Sequence, residues 1–250
     1  MVTNSLRAPA AAIGPSKATT GIHAGVNNAI LVSPVLMMSL GAAFLFHPAT
    51  RGAMLWLLKE NHPVELLTFA AAMTGGILGL RLARRSRKQG EKALVFGFYA
   101  LFSAALIIVG LEEAAWGQQF FGFDVPAAWR SINVQDEATL HNITGVQGRT
   151  EIFRLIFGLG GLVGVWLSSR PHIQRIGAPM ILAPWFAVIT LHAGVDVYND
   201  FFPITKLFDF YMQRTSELNE MLIAVSGFLY IVLKPSSLAL ARKKGTRYEH

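Results

Sequence analysis

Two histidine–carboxylate pairs of this 250-residue chain have a spacing that suits metal binding. Glu137 and His141 are four residues apart, as are His192 and Asp196, so each pair would share one face of a helix. Histidine nitrogen combined with carboxylate oxygen is a ligand set that suits zinc, manganese or non-haem iron. The chain has no cysteine, so a thiolate metal site or a thiol nucleophile is excluded.

Two carboxylate pairs are also closely spaced. Glu112 and Glu113 directly follow an apolar run, and Glu217 and Glu220 are three residues apart. We expect a divalent metal (zinc, manganese or iron) to be held by His141, His192, Asp196 and one of the adjacent pair Glu112 and Glu113. Glu137 or Glu217 would act as the catalytic base on a bound water, whose pKa zinc can lower to about 7.

Six apolar stretches must position these side chains. Hydrophobic residues make up 52% of the chain and charged residues only 15%, and each stretch has about the 17 to 20 residues that a membrane-spanning helix needs. The stretches are residues 29–46, 64–80, 93–111, 152–169, 178–197 and 218–233. The sequence therefore predicts an all-α, polytopic membrane bundle of about six transmembrane helices. We expect a disordered tail over 1–28, one transmembrane domain over 29–234 and a basic tail over 235–250.

The charged residues are distributed unevenly between the two ends of this bundle. Most of the 22 lysines and arginines fall in the loops 81–92 and 170–175 and in the two tails, which six alternating helices place on one side. Lys and Arg mark the cytoplasmic side, so both termini are predicted to be cytoplasmic. Of the 15 acids, all except Glu91 and Glu249 lie at or beyond the opposite helix ends. The net charge of +7 is then explained by basic residues that contact anionic lipid at the membrane surface. No nucleic-acid partner is predicted.

Helix dipoles explain only some of these acids. A carboxylate is favoured at a helix start, which accounts for the acids that open the second, fourth and sixth spans. Glu112, Glu113 and Asp196 instead lie at predicted helix ends, where the dipole opposes a carboxylate. Ionisable groups at that depth are normally paired, so these acids need a cation. A structural salt-bridge network around Arg154 therefore remains an alternative to the metal site.

The segment between the third and fourth spans, residues 111–150, is rich in aromatic and amide side chains. It contains EE-x-x-WGQ, a phenylalanine-rich turn with a proline, and N-x-Q-x-E-x-x-x-HN. This signature resembles that of an uncharacterised family of bacterial multi-pass membrane proteins. The matching residues are Glu112, Glu113, Trp116, Gly117, Gln118, Phe121, Gly122, Phe123, Pro126, Asn133, Gln135, Glu137, His141 and Asn142. The resemblance implies a site in this segment and a place in the bacterial inner (cytoplasmic) membrane, and it implies no particular reaction.

A looser similarity links the chain to membrane hydrolases of the alkaline ceramidase and adiponectin-receptor type. Those enzymes keep a zinc ion among helix ends and use more histidines than this chain offers. The similarity is an analogy that implies a hydrolase site between helix ends.

Further polar side chains are expected to bind a substrate or to satisfy buried backbone groups, since irregular backbone at membrane depth must be satisfied by protein. They are Trp116, Gln118, Asn133, Gln135, Asn142, Arg154 and Glu220. A second amphipathic segment, residues 201–214, is expected to lie flat on the outer surface and to cover the same region.

Together these patterns predict an outer-leaflet polar site. The first hypothesis is a metal-assisted hydrolase or transferase that acts on a lipid or amphiphile entering sideways. The alternative is a non-catalytic accessory or assembly subunit of a larger membrane complex, in which the polar cluster is structural. A proton-coupled carrier is disfavoured, because the cytoplasmic half of the spans lacks ionisable residues. The expected partners are membrane lipids and either another membrane protein or further copies of this chain in a homo-oligomer.

Overall fold

The computed structural model of the chain describes residues 17–133, 137–140, 143, 149–170 and 173–245. These residues form helices and connecting loops, without a β-strand among them. The α-helices are α1 (Lys17–Phe46), α2 (Pro48–Leu57), α3 (Pro63–Lys88), α4 (Ala93–Glu113), α5 (Gln118–Phe121), α6 (Ala127–Arg130), α7 (Thr150–Leu167), α8 (Ala183–Phe201) and α9 (Lys206–Gly245).

Six helical segments are long and apolar enough to cross a membrane. They are Gly25–Phe46, Pro63–Lys88, Ala93–Glu113, Thr150–Leu167, Met180–Phe201 and Lys206–Lys234. The prediction of an all-α, polytopic membrane bundle with six spans is thus confirmed. Large apolar side chains such as Leu101 and Leu191 are more than two-thirds exposed on these helices, so the bundle contacts lipid.

Helix α9 lies at the centre of the bundle. It contacts α1, α3, α4, α7 and α8, and 56% of its most apolar window is buried, the largest share of any span. The remaining spans pack as two hairpins, α3 with α4 and α7 with α8, while α1 packs against α8 and α9. Helix α9 therefore lies between the two hairpins and contacts helices of both.

Glycines allow the close helix contacts in both hairpins. A Cβ added to Gly76 of α3 would lie 2.9 Å from the carbonyl oxygen of Ser103 on α4. A Cβ added to Gly158 of α7 would lie 2.5 Å from Oγ1 of Thr190 on α8. Small residues at these positions let the backbones approach, which is how helices associate where lipid removes the hydrophobic driving force.

Two helix boundaries differ from those expected. Helix α1 begins at Lys17, so residues 17–28 are helical rather than part of a tail. Residues 206–214, expected to lie flat on the surface, are the first turns of α9 and are continuous with the sixth span. The physical reason is that Pro203 precedes the helix and no proline follows before Pro235, so nothing breaks the helix between the amphipathic and apolar parts. Helix α2 was not predicted.

The two ends of the bundle carry different charges. We call the end where α4 and α8 finish and α3, α7 and α9 begin the acidic end, because Glu112, Glu113, Asp196 and Glu220 lie there. The opposite end, with the loop segments 89–92, 168–170 and 173–179, is the basic end. The candidate site is at the acidic end.

Candidate functional site

Arg154 links three helices at the acidic end. It lies in the second turn of α7 and is only 9% exposed. Its Nη1 is 3.8 Å from Oδ2 of Asp196 on α8, and its Nε is 3.8 Å from Oε1 of Glu220 on α9. Its Nη2 donates a 2.9 Å hydrogen bond to Oγ1 of Thr150. The two carboxylates balance its charge from distances that are too long for hydrogen bonds.

Several buried polar atoms beside this network lack a hydrogen-bond partner among the described residues. They include Nε and Nη1 of Arg154, Nδ1 of His192 and both amide atoms of Asn219, a residue that is 0% exposed. Buried polar groups are almost always hydrogen-bonded, and leaving one unsatisfied costs about 1–3 kcal/mol. This part of the acidic end therefore holds groups that need a further partner.

A cavity of about 300 Å³ opens beside Arg154, between α4 and α7 and in front of α9. One part of its lining is polar or charged: Glu112, Glu113, Thr150, Arg154 and Glu220. The other part is apolar: Ile108, Val109, Phe153, Phe157 and Ile223. The cavity lies between the two helix hairpins, and its volume is at the lower end of the range for small-molecule sites.

The cavity reaches the surface of the bundle. Ile108 of α4 is 48% exposed and Phe153 of α7 is 64% exposed, although both line the cavity. Its opening is therefore flanked by apolar side chains on the faces that these helices turn toward lipid.

Carboxylates outnumber cations in this lining. Three carboxylates, those of Glu112, Glu113 and Glu220, accompany the single guanidinium of Arg154. Glu113 is also close enough to Glu65 and Glu217 to interact with both electrostatically. The cavity therefore carries an excess of negative charge when these side chains are ionised.

Glu112 connects the cavity to the segment that follows α4. Its Oε1 accepts a 2.5 Å hydrogen bond from Nε1 of Trp116, and its Oε2 accepts a 2.7 Å bond from the backbone N–H of Leu140. The turn that places the indole there is strained, since Ala115 (φ 44°) and Trp116 (φ 53°) are both left-handed. Such conformations cost about 1–3 kcal/mol each and are concentrated at functional sites.

The predicted amides of this segment bind backbone groups. Oε1 of Gln118 accepts a 2.8 Å hydrogen bond from the N–H of Ala138. Nδ2 of Asn133 donates a 2.9 Å bond to the carbonyl of Thr139, and its Oδ1 accepts one of 3.4 Å from the N–H of Glu137. Gln118 and Asn133 thus hold residues 137–139 against the end of α4.

The structure brings only some of the predicted ligands together. Among the described residues there is no group of three or more His, Asp or Glu side chains arranged to hold a metal ion. Nε2 of His192 lies 2.8 Å from Oγ1 of Thr215 on α9, and Asp196 pairs with Arg154. Neither His192 nor Asp196 is among the residues that line the cavity.

The remaining predicted residues divide into two groups. Glu217 interacts electrostatically with Glu220 and Glu65, so it belongs to the same carboxylate cluster as Glu113. His141, Gln135 and Asn142 lie outside the described residues. The divalent metal site therefore stays a prediction, and the residues that are described do not by themselves supply it.

Thr215 and Asn219 are not among the side chains predicted from the sequence. They are four residues apart and so share one face of α9, in the same turns as the predicted Glu217 and Glu220. A polar pair at this spacing next to a run of apolar residues is the signal that could have identified them.

This chain matches no known family model, no curated protein and no solved structure. The function is therefore inferred from the geometry of the acidic end, and the resemblance seen in residues 111–150 stays a prediction.

Proposed function

We propose that this protein binds a lipid or another amphiphile in the cavity between α4, α7 and α9 and hydrolyses it or transfers a group from it. The observation that carries the proposal is the two-part lining, which has carboxylates and a guanidinium on one part and aliphatic and phenyl side chains on the other. The opening beside Ile108 and Phe153 lets such a molecule enter from the bilayer. Its head group would meet the charges and its chain would meet the apolar part.

The proposed location of the cavity is the outer leaflet. Lys and Arg mark the cytoplasmic side of a multi-pass protein, so the basic end would face the cytoplasm and the acidic end would face outward. The resemblance to bacterial membrane proteins favours the bacterial inner membrane.

The side chains in the cavity offer general acid–base chemistry. A carboxylate of Glu113 or Glu220 would take a proton from water while the water oxygen bonds to the carbonyl carbon or phosphorus of the head group. The bond to the leaving oxygen breaks, and that oxygen receives a proton from the other of these two residues, which is then in its protonated carboxyl form. Proton transfer of this kind contributes about 10²–10⁴-fold, and Arg154 would stabilise the negative charge that develops. In a transferase, an alcohol would replace the water.

A divalent ion would add a second way to activate the water, and His141 would have to contribute to its ligand set. Elemental analysis of protein purified gently and without chelator tests this part of the proposal. We expect a stoichiometric metal if His141 completes a site with Glu112 or Glu113. If the purified protein holds no metal, the carboxylates alone would supply the acid and the base.

Filling the cavity tests the proposal directly. We expect Val109→Trp to weaken binding of an alkyl probe labelled at its chain end by more than about tenfold, which corresponds to about 1.4 kcal/mol. Leu94→Trp is the matched control, because Leu94 lies on the same helix, is 64% exposed and does not line the cavity. Equal binding by both variants would contradict the proposal.

Turnover is tested in vesicles made from a bacterial lipid extract. The protein is reconstituted, and the products are identified by mass spectrometry. We expect Glu220→Gln to abolish product formation and Asp124→Asn to leave it unchanged, since Asp124 is a fully exposed outer carboxylate. The absence of any product with the unaltered protein would leave binding as the function and contradict the enzymatic step.

A second candidate is the accessory or assembly subunit, which is favoured by the way in which Arg154 joins α7, α8 and α9. In that case Glu220→Gln and Asp196→Asn would lower thermal stability and yield together, and a stoichiometric partner would co-purify in mild detergent. An enzyme site predicts lost activity with stability kept or raised.

A further inference from the structure

We infer that the amphiphile bound in this cavity has a head group that carries a primary ammonium together with a phosphate. The inference rests on the proposed function and adds the chemical class of its ligand. It stands on two separate observations, the excess of carboxylates in the lining and the unsatisfied nitrogens of Arg154.

The first observation is the charge of the lining. Glu112, Glu113 and Glu220 line the cavity with only one guanidinium beside them. Of these, Glu112 already accepts hydrogen bonds from Trp116 and Leu140. Glu220 pairs with Arg154 only at 3.8 Å, too far for a hydrogen bond, so Glu113 and Glu220 keep acceptor oxygens for a ligand. Charges at this depth in a membrane protein normally pair. A cation on the ligand would provide that pairing.

The cation is a primary ammonium because of its hydrogen-bonding capacity. An ammonium group has three N–H donors, enough to bond Glu113 and Glu220 at once. A quaternary ammonium has no N–H donor and would interact with the carboxylates by charge alone. An uncharged or anionic head group offers the carboxylates no cation, so they would have to take up protons or remain unpaired.

The second observation is the state of Arg154. The residue lines the cavity and is 9% exposed, and its Nε and Nη1 have no hydrogen-bond acceptor among the described residues. Asp196 and Glu220 approach it only to 3.8 Å. Arginine binds phosphate oxygens with geometry that suits its planar fork. A phosphate on the ligand would therefore supply the missing acceptors while its ammonium meets the carboxylates.

The test compares three single-chain phospholipids with the same acyl chain and different head groups. Lysophosphatidylethanolamine, lysophosphatidylcholine and lysophosphatidylglycerol compete with a labelled alkyl probe for the full-length protein in a neutral detergent. We expect the ethanolamine lipid to bind about tenfold or more tightly than the glycerol lipid, because hydrogen bonds to charged groups are worth that much. The choline lipid should bind with intermediate affinity.

Charge-removing variants identify the side chains responsible. Glu113→Gln and Glu220→Gln, each made separately, should reduce the preference for ethanolamine over glycerol to about threefold or less. Two variants are used so that a folding defect in one does not decide the result. Asp124→Asn should keep the full preference, since that exposed carboxylate pairs with Arg130 on the surface.

The outcomes separate this inference from the proposed function. If all three lipids displace the probe equally and Val109→Trp blocks each of them, the amphiphile site stands and the amine inference is overturned. If the glycerol lipid binds best, the amine inference is also overturned. If Val109→Trp has no effect on binding of any lipid, the cavity is not the site and both proposals fail.

Discussion

Among the described residues, each end of the bundle buries one cation, and the two cations differ in their hydrogen bonding. At the basic end, Lys234 is 3% exposed and its Nζ donates to the carbonyls of Gln174 and Gly177, at 2.7 and 2.5 Å. At the acidic end, Arg154 is 9% exposed, and two of its nitrogens have no hydrogen-bond partner among the described residues. Only the cation at the basic end is satisfied by backbone acceptors.

The surroundings of the two cations show the same contrast. At the basic end, the hydroxyls of Tyr99 and Tyr230 donate to the carbonyls of Arg175 and Ile176, at 2.5 and 2.7 Å. At the acidic end, His192 and Asn219 keep buried polar atoms without partners in the described part of the chain. Polar groups that only hold a fold are normally satisfied within it. This contrast supports the proposal that the acidic end binds a ligand, whereas the polar groups of the basic end hold the fold together.

The largest expected effect is at Lys234. Lys234→Met removes two charge-assisted hydrogen bonds and leaves the carbonyls of Gln174 and Gly177 without them, so we expect the free energy of unfolding to fall by about 3 kcal/mol. The free energy of unfolding is measured by titration with SDS in mixed micelles. Lys206→Met is the control, since Lys206 is exposed on the same helix. If the unfolding midpoint of Lys234→Met equalled that of the unaltered protein, the structural role of the basic end would be contradicted.

Tyr230→Phe should have a smaller effect at the same end. It removes one hydrogen bond and leaves the Ile176 carbonyl unsatisfied, so a loss of about 1–2 kcal/mol is expected in the same titration. Tyr198→Phe serves as the matched variant because Tyr198 is 55% exposed. Equal effects of the two substitutions would show that the bond to Ile176 does not contribute.

Two asparagines at the acidic end differ in their hydrogen bonding. Asn199 donates to Asp209 and accepts from the N–H of Ile204, at 3.2 and 3.1 Å, whereas Asn219 has no partner in the described residues. Asn219→Leu should be neutral or stabilising by up to about 1 kcal/mol, because it removes a buried amide that lacks hydrogen bonds. Asn199→Leu should destabilise by about 1–2 kcal/mol. Destabilisation by Asn219→Leu to the same extent would show that its amide is satisfied in the folded protein.

The smallest expected effect on stability is that of Glu220→Gln. Glu220 is one of several carboxylates around Arg154, and Asp196 still pairs with the guanidinium, so the change in unfolding free energy should stay within about 1 kcal/mol. The same variant should lose ligand preference and turnover. A loss of stability as large as that of Lys234→Met would instead support the structural interpretation.

The spans were predictable because hydrocarbon thickness fixes the length of an apolar run. The acids that need a partner were also predictable, because Glu112, Glu113 and Asp196 follow apolar runs at helix ends, where the dipole opposes them. These features depend only on order along the chain.

The pairings were not predictable, because they depend on how each helix is rotated against its neighbours. His192 bonds Thr215, and Asp196 faces Arg154, although a metal-binding face was predicted for both. The role of Lys234 was not predicted either, because the carbonyls that it binds belong to a loop about 60 residues away in sequence. A contact between residues so far apart in the chain produces no local pattern in the sequence.

The most direct test of the assignment of the two ends is the shift in melting temperature that lysophosphatidylethanolamine produces. A ligand that binds only the folded protein raises its stability with concentration. We expect Lys234→Met to keep this shift, from a lower starting temperature, and Glu220→Gln to lose it. A shift that Glu220→Gln keeps and Lys234→Met loses would contradict that assignment.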